Sequence, residues 1–326
     1  MENSKRKILV AFDPLNKEQL AKLEAAASPE FELVVSTNLD ESEITKTAKD
    51  CEIFFGHATP EIIKSAKNLK WLHTQFAGVD GVLKPEVGLP ESVILTNSAG
   101  TFGIAISEYL VAVTLMLMRN MQTYMMQQQQ NEWKPGGAIR SIYRSNITIV
   151  GLGDIGSNFA ERCRAMGAKV SGVVRTSRKN IPDCVDSLYT IDQLDEAIKN
   201  ADVVALCLPG TSETAHLFDK ARLLKMKKNA LLLNVGRGSA IDQEALIEVL
   251  ESGHLGGAGL DVTTPEPLPA ESKLWNMPNV IITPHISGNY TLALTVDLIL
   301  EKFLEYLADY KEGKPFKRVV DRGLGY

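Results

Sequence analysis

The chain has 326 residues, enough for two domains of about 150 residues that each bury a core. Charged residues make up 23% of it and the formal net charge is -5, which argues against nucleic acid or an anionic membrane as the main partner. The four cysteines are far apart and fit no C-x-x-C spacing, so we expect neither disulfides nor a metal site.

The first hundred residues alternate strand-like and helix-like segments. Strands are predicted near residues 8–12, 33–35, 53–55, 71–74 and 93–96, and helices over 18–26, 42–48 and 60–66. This alternation predicts a parallel α/β domain. The first strand follows a short charged N-terminus without the apolar core of a signal peptide, which predicts a cytoplasmic location.

An apolar stretch follows, and it predicts one long helix over residues 104–129. Its most apolar part, residues 104–118, contains Glu108 and is shorter than the roughly 20 residues that span a bilayer. We therefore expect a buried helix, which ends at a glutamine run and at the breaker Pro135-Gly136-Gly137.

The second half alternates in the same way. Six strands are predicted near residues 147, 170, 203, 231, 259 and 281, and this number fits a doubly wound sheet. A final helix over 292–307 has no strand after it, so we expect it to pack on the first domain. The predicted organisation is a discontinuous substrate domain, 1–99 and 291–326, and a dinucleotide-binding domain, 100–290.

A G-x-G-x-x-G fingerprint follows the strand at residues 147–150 and begins a segment with helical spacing. The cofactor-binding residues predicted from it are Gly151, Gly153, Asp154, Ile155 and Gly156. The first glycine allows a tight turn, the second lets the backbone approach a pyrophosphate, and the third lets the helix pack on the strand. The helix N-terminus then presents unpaired N–H groups to the phosphates. These features predict a bound dinucleotide.

The residues after the second strand of this unit indicate which dinucleotide. NAD-binding units carry an acidic residue there for the ribose hydroxyls, whereas this chain has Arg175, Thr176, Ser177 and Arg178. Guanidinium groups pair with a 2′-phosphate that a carboxylate would repel. We therefore expect NADP(H) to be preferred, with NAD(H) possible. The alternative is that both arginines are solvated loop charges.

Three residues that follow predicted strands of the second half could carry chemistry. Arg237 stands between two glycines and suits a substrate carboxylate and a carbonyl oxygen. His285 can donate or accept a proton near neutral pH, and Glu266 would orient its ring and favour the imidazolium. The alternative for each alone is structural: a histidine after a strand, a rigid Pro265-Glu266-Pro267 turn, an arginine that caps a strand.

The motifs together resemble the D-isomer-specific 2-hydroxyacid dehydrogenase family over nearly the whole chain. They comprise the glycine loop, Leu208-Pro209-Gly210-Thr211 with Thr214, Asn234-Val235-Gly236-Arg237-Gly238, Gly259-Leu260-Asp261-Val262 with Glu266-Pro267-Leu268-Pro269, and Thr283-Pro284-His285. The resemblance implies a Rossmann cofactor domain and a smaller flavodoxin-like α/β substrate domain.

The resemblance also implies roles for residues. Arg237, Glu266 and His285 would be catalytic, and Arg237 and His285 would also contact the substrate. Asp261 would hold the nicotinamide carboxamide, and further cofactor contacts would come from Leu208, Pro209, Thr214 and Val235. Main-chain N–H groups of Ala77, Gly78 and Val79 would bind the substrate carboxylate. A homodimer is expected as well.

Two departures from the family pattern matter. Val174 and Arg175 replace the acidic residue after the second strand, as in the NADP-using glyoxylate and hydroxypyruvate reductases, and Thr263 replaces a frequent aromatic residue. Because the sequence ends at Tyr326, we do not expect the regulatory domain of many phosphoglycerate dehydrogenases.

The sequence thus predicts an NADP(H)-dependent reductase of glyoxylate, hydroxypyruvate or a similar small 2-oxo acid, with hydride transfer in a cleft between the domains. The alternative is a dinucleotide-sensing corepressor-like or scaffold protein with little turnover. The intact set of arginine, glutamate and histidine favours the enzyme.

Overall fold

The computed structural model describes residues 6–36 and 40–326. The chain divides into two compact units. Unit 1 comprises Met1–Thr101 and Tyr290–Tyr326, and unit 2 comprises Phe102–Asn289.

Before residue 102, the described part of unit 1 has five parallel strands and three α-helices. In chain order these are β1 (Arg6–Ala11), α1 (Lys17–Ala27), β2 (Phe31–Val35), α2 (Glu41–Ala48), β3 (Ile53–Gly56), α3 (Pro60–Ser65), β4 (Trp71–Thr74) and β5 (Ile94–Asn97). The sheet has the order β2-β1-β3-β4-β5, the flavodoxin-like arrangement. Side-chain oxygens of Asn16, Asp40 and Thr59 cap the three helices by accepting from the N–H group three residues on, so the helices begin where the sequence offers a cap.

Unit 2 contains seven parallel strands. Its elements are α4 (Gly103–Met118), α5 (Met121–Gln129), β6 (Asn146–Val150), α6 (Asp154–Ala165), β7 (Lys169–Val174), β8 (Ser187–Thr190), α7 (Leu194–Ile198), β9 (Val203–Leu206), α8 (Lys220–Lys225), β10 (Leu231–Asn234), α9 (Gln243–Glu251), β11 (Gly257–Leu260) and β12 (Val280–Ile282). The sheet order is β12-β11-β10-β9-β6-β7-β8, a doubly wound Rossmann sheet with one extra strand. The predicted α/β fold class is confirmed.

Two predictions about unit 2 were wrong. The single helix over 104–129 is two helices bent by 69°, because Asn120 between them has a φ of 53° and leaves the right-handed helical region. The sheet has seven strands rather than six. The missed strand β8 is a short edge strand paired only with β7, and its half-buried residues carry no long apolar run.

The last helix, α10 (Ala293–Lys311), belongs to unit 1. Phe303 stacks on Trp71 of β4 at a ring-centroid distance of 5.2 Å, and Tyr310 stacks on the same indole at 5.4 Å. The segment after residue 290 therefore completes the core that the first hundred residues begin.

No single helix among residues 6–36 and 40–326 has both the length and the apolar character to cross a membrane; only the bent pair α4 and α5 meets those two criteria together. In α4, Leu110, Val113 and Leu117 are buried. Val113 and Leu117 pack where Gly257 and Gly259 of β11 leave room for them.

Candidate active site

The predicted site residues of unit 2 share one edge of its sheet. Because all seven strands are parallel, their carboxyl ends meet at that edge, where doubly wound sheets bind ligands. The glycine loop follows β6, Arg175 follows β7, Leu208 follows β9, Arg237 follows β10, and His285 follows β12.

The glycine loop has the geometry of a phosphate-binding turn. Gly151 has a φ of +98°, and a Cβ there would lie 2.4 Å from the Cys207 carbonyl oxygen. A Cβ at Gly156 would lie 2.1 Å from the Gly151 carbonyl oxygen, whereas a Cβ at Gly153 would meet no atom within 4 Å. The outer glycines are therefore needed for packing, and Gly153, which is the N-cap of α6, borders open space at the N-terminus of that helix. This cradle fits the pyrophosphate of a dinucleotide.

The two arginines after β7 have different partners. The Arg175 guanidinium lies 3.1 Å from Glu213 Oε1, and Arg178 Nη2 donates to the carbonyl oxygen of Leu152 in the glycine loop at 3.1 Å. Thr176 between them is exposed. Arg178 thus lies beside the loop that would hold the cofactor, and Arg175 follows the end of the adjacent strand β7.

The loop with Arg237 is closely packed on its neighbours. A Cβ at Gly236 would lie 2.4 Å from the Leu208 carbonyl oxygen, and one at Gly238 would lie 2.0 Å from the Thr263 carbonyl oxygen. The Asn234 side chain accepts from the Gly236 N–H group and donates to the Arg237 carbonyl oxygen, which closes the turn. These contacts place the half-buried Arg237 next to the loop after β11.

His285 and Glu266 form a pair. The Nδ1 atom of His285 lies 3.0 Å from Glu266 Oε2, and the other carboxylate oxygen accepts from the Thr263 N–H group at 3.1 Å. The two side chains are 49% and 40% exposed, so ligands can reach them. Because Glu266 engages Nδ1, the other ring nitrogen, Nε2, is the one available for proton transfer.

The backbone of His285 is in the left-handed region, with a φ of 54°. For a residue other than glycine this conformation costs about 1 kcal/mol or more. Its N–H group donates to the carbonyl oxygen of Asp261 at 2.8 Å and to that of Thr283 at 3.0 Å. These bonds hold the residue in the strained conformation.

Asp261 anchors the segment that carries His285. Its buried carboxylate accepts from Thr283 Oγ1 at 2.6 Å and from the N–H groups of Ile286 and Ser287 at 2.9 and 3.0 Å. Since Thr283 donates to Asp261, the hydroxyl of Tyr109 must be the donor to Thr283, at 2.7 Å. Burial raises the pKa of Tyr109 to about 12, which keeps this donor protonated. The contact of Asp261 with the cofactor stays a prediction.

The remaining predicted cofactor residues border the same edge. Leu208 packs on the Gly236 backbone, Thr214 Oγ1 donates to the Pro209 carbonyl oxygen at 2.8 Å, and the buried Val235 donates its N–H to Leu206. These contacts shape the loops after β9 and β10, while contacts with a dinucleotide stay predictions.

In unit 1, the loop with Ala77, Gly78 and Val79 follows β4. Asn97 Nδ2 donates to the Ala77 carbonyl oxygen at 2.6 Å, and the Ser98 N–H group donates to the Phe76 carbonyl oxygen at 3.0 Å. Both bonds are accepted by main-chain carbonyl oxygens of this loop. Its role toward a carboxylate stays a prediction.

Sequence reasoning gave no role to Tyr109, Thr283 or Glu213. Tyr109 lies on an apolar helix far along the chain from β12, and no local pattern pairs it with Thr283. Glu213 lies between Thr211 and Thr214 of a family-like motif, yet its partner Arg175 is 38 residues away. Only the folded sheet brings these groups together.

Comparisons with known proteins agree with this geometry. Residues 111–287 match the family model described as D-isomer specific 2-hydroxyacid dehydrogenase, NAD binding domain. The chain is 34% identical over 278 residues to glyoxylate/hydroxypyruvate reductase A of an Enterobacter species, covering 83% of this chain and 86% of that protein.

Two further comparisons concern length and overall fold. The chain is 30% identical over 285 residues to D-3-phosphoglycerate dehydrogenase of Methanocaldococcus jannaschii, and the match covers 86% of this chain but only 53% of that relative. The crystal structure of an NADPH-dependent glyoxylate/hydroxypyruvate reductase from Sinorhizobium meliloti, in complex with NADP and sulfate, is 29% identical with a TM-score of 0.84. That match covers 99% of this chain and 100% of the other.

Proposed function

Because the chain belongs to the D-isomer specific 2-hydroxyacid dehydrogenase family, we propose that it is an NADP(H)-dependent reductase of small 2-oxo acids. Its substrate is glyoxylate, hydroxypyruvate or a similar acid, and its product is the corresponding 2-hydroxy acid, of D configuration where carbon 2 is a stereocentre. The observation that carries the proposal is the His285–Glu266 pair, at 3.0 Å, on the ligand edge of a sheet with a dinucleotide cradle.

Each side chain of the site has its own role in the reaction. The cofactor, when bound, supplies the hydride to the carbonyl carbon. Arg237 binds the substrate carboxylate and polarises the carbonyl oxygen, because its guanidinium keeps its charge and offers a fork of donors. His285 delivers a proton from Nε2 to that oxygen, and Glu266 orients the ring and balances the charge of the imidazolium. We also propose that the N–H groups of residues 77–79 bind the carboxylate.

The cofactor preference is proposed from the loop after β7. Val174 and Arg175 occupy the position at which NAD-binding units have an acidic residue, and such a residue would repel a 2′-phosphate. Arg178 lies against the glycine loop. The relatives named for glyoxylate and hydroxypyruvate reduction, one of them with NADP bound, support both the cofactor and the substrate class. A homodimer and a cytoplasmic location stay predictions from the sequence.

The test is a panel of 2-oxo acids assayed with NADPH and NADH, for the native protein and for His285→Gln. We expect turnover of glyoxylate or hydroxypyruvate, a higher kcat/KM for NADPH than for NADH, and a loss of roughly 10²- to 10⁴-fold in kcat for His285→Gln. The Kd of NADPH, from its fluorescence, should change less than about twofold, because the histidine acts on the substrate proton.

The matched control is His254→Gln, which removes a ring bonded to the Met226 carbonyl oxygen. This variant should keep full turnover. An active His285→Gln enzyme would contradict the proton-transfer role. Tight NADPH binding without turnover of any acid would instead favour the dinucleotide sensor.

A further inference from the structure

An ion pair crosses the carboxyl edge of the unit 2 sheet. Arg175 follows β7 and Glu213 lies in the loop after β9, and their Nη2 and Oε1 atoms are 3.1 Å apart. In the sheet β6 lies between β7 and β9, so the pair crosses the strand end at which the glycine loop begins.

Glu213 lies on a turn that its neighbours hold in shape. Thr214 Oγ1 accepts from the Thr211 N–H group at 3.0 Å and donates to the Pro209 carbonyl oxygen at 2.8 Å. The Ala215 N–H group donates to the Thr211 carbonyl oxygen at 3.1 Å. The carboxylate therefore lies on a hydrogen-bonded turn, and Arg175 contacts it through a long side chain.

The pair is one that a ligand can separate at small cost. The Arg175 side chain is 46% exposed and that of Glu213 is 64% exposed, and ion pairs this accessible to water are weak. Nη2 of Arg175 donates to Oε1 of Glu213, and a phosphate can engage two guanidinium nitrogens at once.

The position of the ion pair indicates which part of a bound dinucleotide would lie beside it. The strand order reverses between β6 and β9, and a dinucleotide bound at such a reversal has its adenosine ribose near the end of β7. A 2′-phosphate there would meet Arg175, while the Glu213 carboxylate would compete for the same guanidinium and repel the phosphate.

We propose that Glu213 is a specificity-determining residue that weakens the binding of 2′-phosphorylated dinucleotides by competing for Arg175. Binding of the unphosphorylated dinucleotide does not depend on this competition. The inference rests on the NADP(H) preference proposed above.

The test measures binding without turnover, by calorimetric titration of the protein with adenosine 2′,5′-bisphosphate and with 5′-AMP. For Glu213→Gln we expect the Kd of the bisphosphate to fall about 2- to 5-fold, the range for an exposed ion pair, while the Kd of 5′-AMP stays the same. In the Arg175→Gln variant, the additional change Glu213→Gln should lower the Kd of the bisphosphate much less.

Glu248→Gln is the matched control, because it removes the same charge from another exposed ion pair of unit 2, with Lys220. It should leave both Kd values unchanged. An unchanged or higher Kd of the bisphosphate in Glu213→Gln would overturn the role of Glu213 even if the native protein prefers NADPH. A native protein that binds 5′-AMP but not the bisphosphate would overturn the cofactor preference and this inference with it.

Discussion

Gly153 and Gly156 are two glycines of one motif with opposite physical requirements. At Gly156 a side chain has no room, since its Cβ would lie 2.1 Å from a backbone oxygen, whereas at Gly153 there is room in the protein itself. Gly153 also has the extended backbone of an N-cap, with a φ of -90°, which serine adopts readily. The need for glycine at position 153 therefore comes from the ligand that approaches the backbone.

Serine at each position separates these two requirements. Gly156→Ser should lower the free energy of unfolding by roughly 1–3 kcal/mol, the usual cost of overpacking. Gly153→Ser should leave it within about 0.5 kcal/mol and raise the Kd of NADPH at least about tenfold, because the new atoms occupy the space of the pyrophosphate. Urea unfolding and NADPH fluorescence titration measure the two quantities. Unimpaired NADPH binding by Gly153→Ser would show that no phosphate lies against this glycine.

At the scale of helices and strands, the break between α4 and α5 depends on one side chain. Asn120 has a φ of 53°, and its Nδ2 donates to the carbonyl oxygens of Gly136 and Ala138 at 3.1 and 3.0 Å. Asparagine tolerates the left-handed region better than most residues. The apolar pattern across residues 104–129 contains no glycine or proline at the break, which is why it predicted one helix.

Substitutions at Asn120 should separate hydrogen bonding from backbone strain. Asn120→Ala loses both bonds and keeps the strain, so we expect unfolding to be easier by roughly 2 kcal/mol. Asn120→Gly loses the same bonds but relieves the strain, and it should be more stable than the alanine variant by roughly 1 kcal/mol. Urea unfolding followed by circular dichroism gives both values. An alanine variant as stable as the native protein would contradict this account of the break.

At the scale of the whole molecule, unit 1 is built from two separated parts of the chain, and the buried carboxylate of Glu52 links them. Glu52 accepts from Arg6 Nε and Nη2 at 3.0 and 2.7 Å and from the Tyr310 hydroxyl of α10 at 2.6 Å. The Arg6 guanidinium lowers the pKa of Glu52 from its ordinary value of 4.5 to about 2. Folding therefore favours the ionised carboxylate.

This pKa makes part of the stability depend on pH. The folded pKa lies below the unfolded one, so the stabilisation is fully present above pH 4.5 and is lost as pH falls toward 2. We expect the free energy of unfolding to differ between the native protein and Glu52→Gln by at most about 3 kcal/mol at pH 6, and by about half as much at pH 3. Urea unfolding at both pH values measures this difference.

Glu30→Gln is the control, because Glu30 is more exposed and lies farther from Arg6, at 3.9 Å. Its difference from the native protein should be small and nearly constant with pH. If the difference in unfolding free energy between the native protein and Glu52→Gln were also constant between pH 6 and pH 3, the lowered pKa of Glu52 would be contradicted.

The family and the α/β class could be predicted from local patterns, because a glycine fingerprint, strand-end motifs and apolar periodicity are each encoded by neighbouring residues. The edge strand β8, the bend at Asn120, the anchoring of His285 through Asp261 and Tyr109, and the Arg175–Glu213 pair were decided by tertiary structure. Each of these depends on contacts between groups 16 or more residues apart in the chain, which only the folded structure brings together.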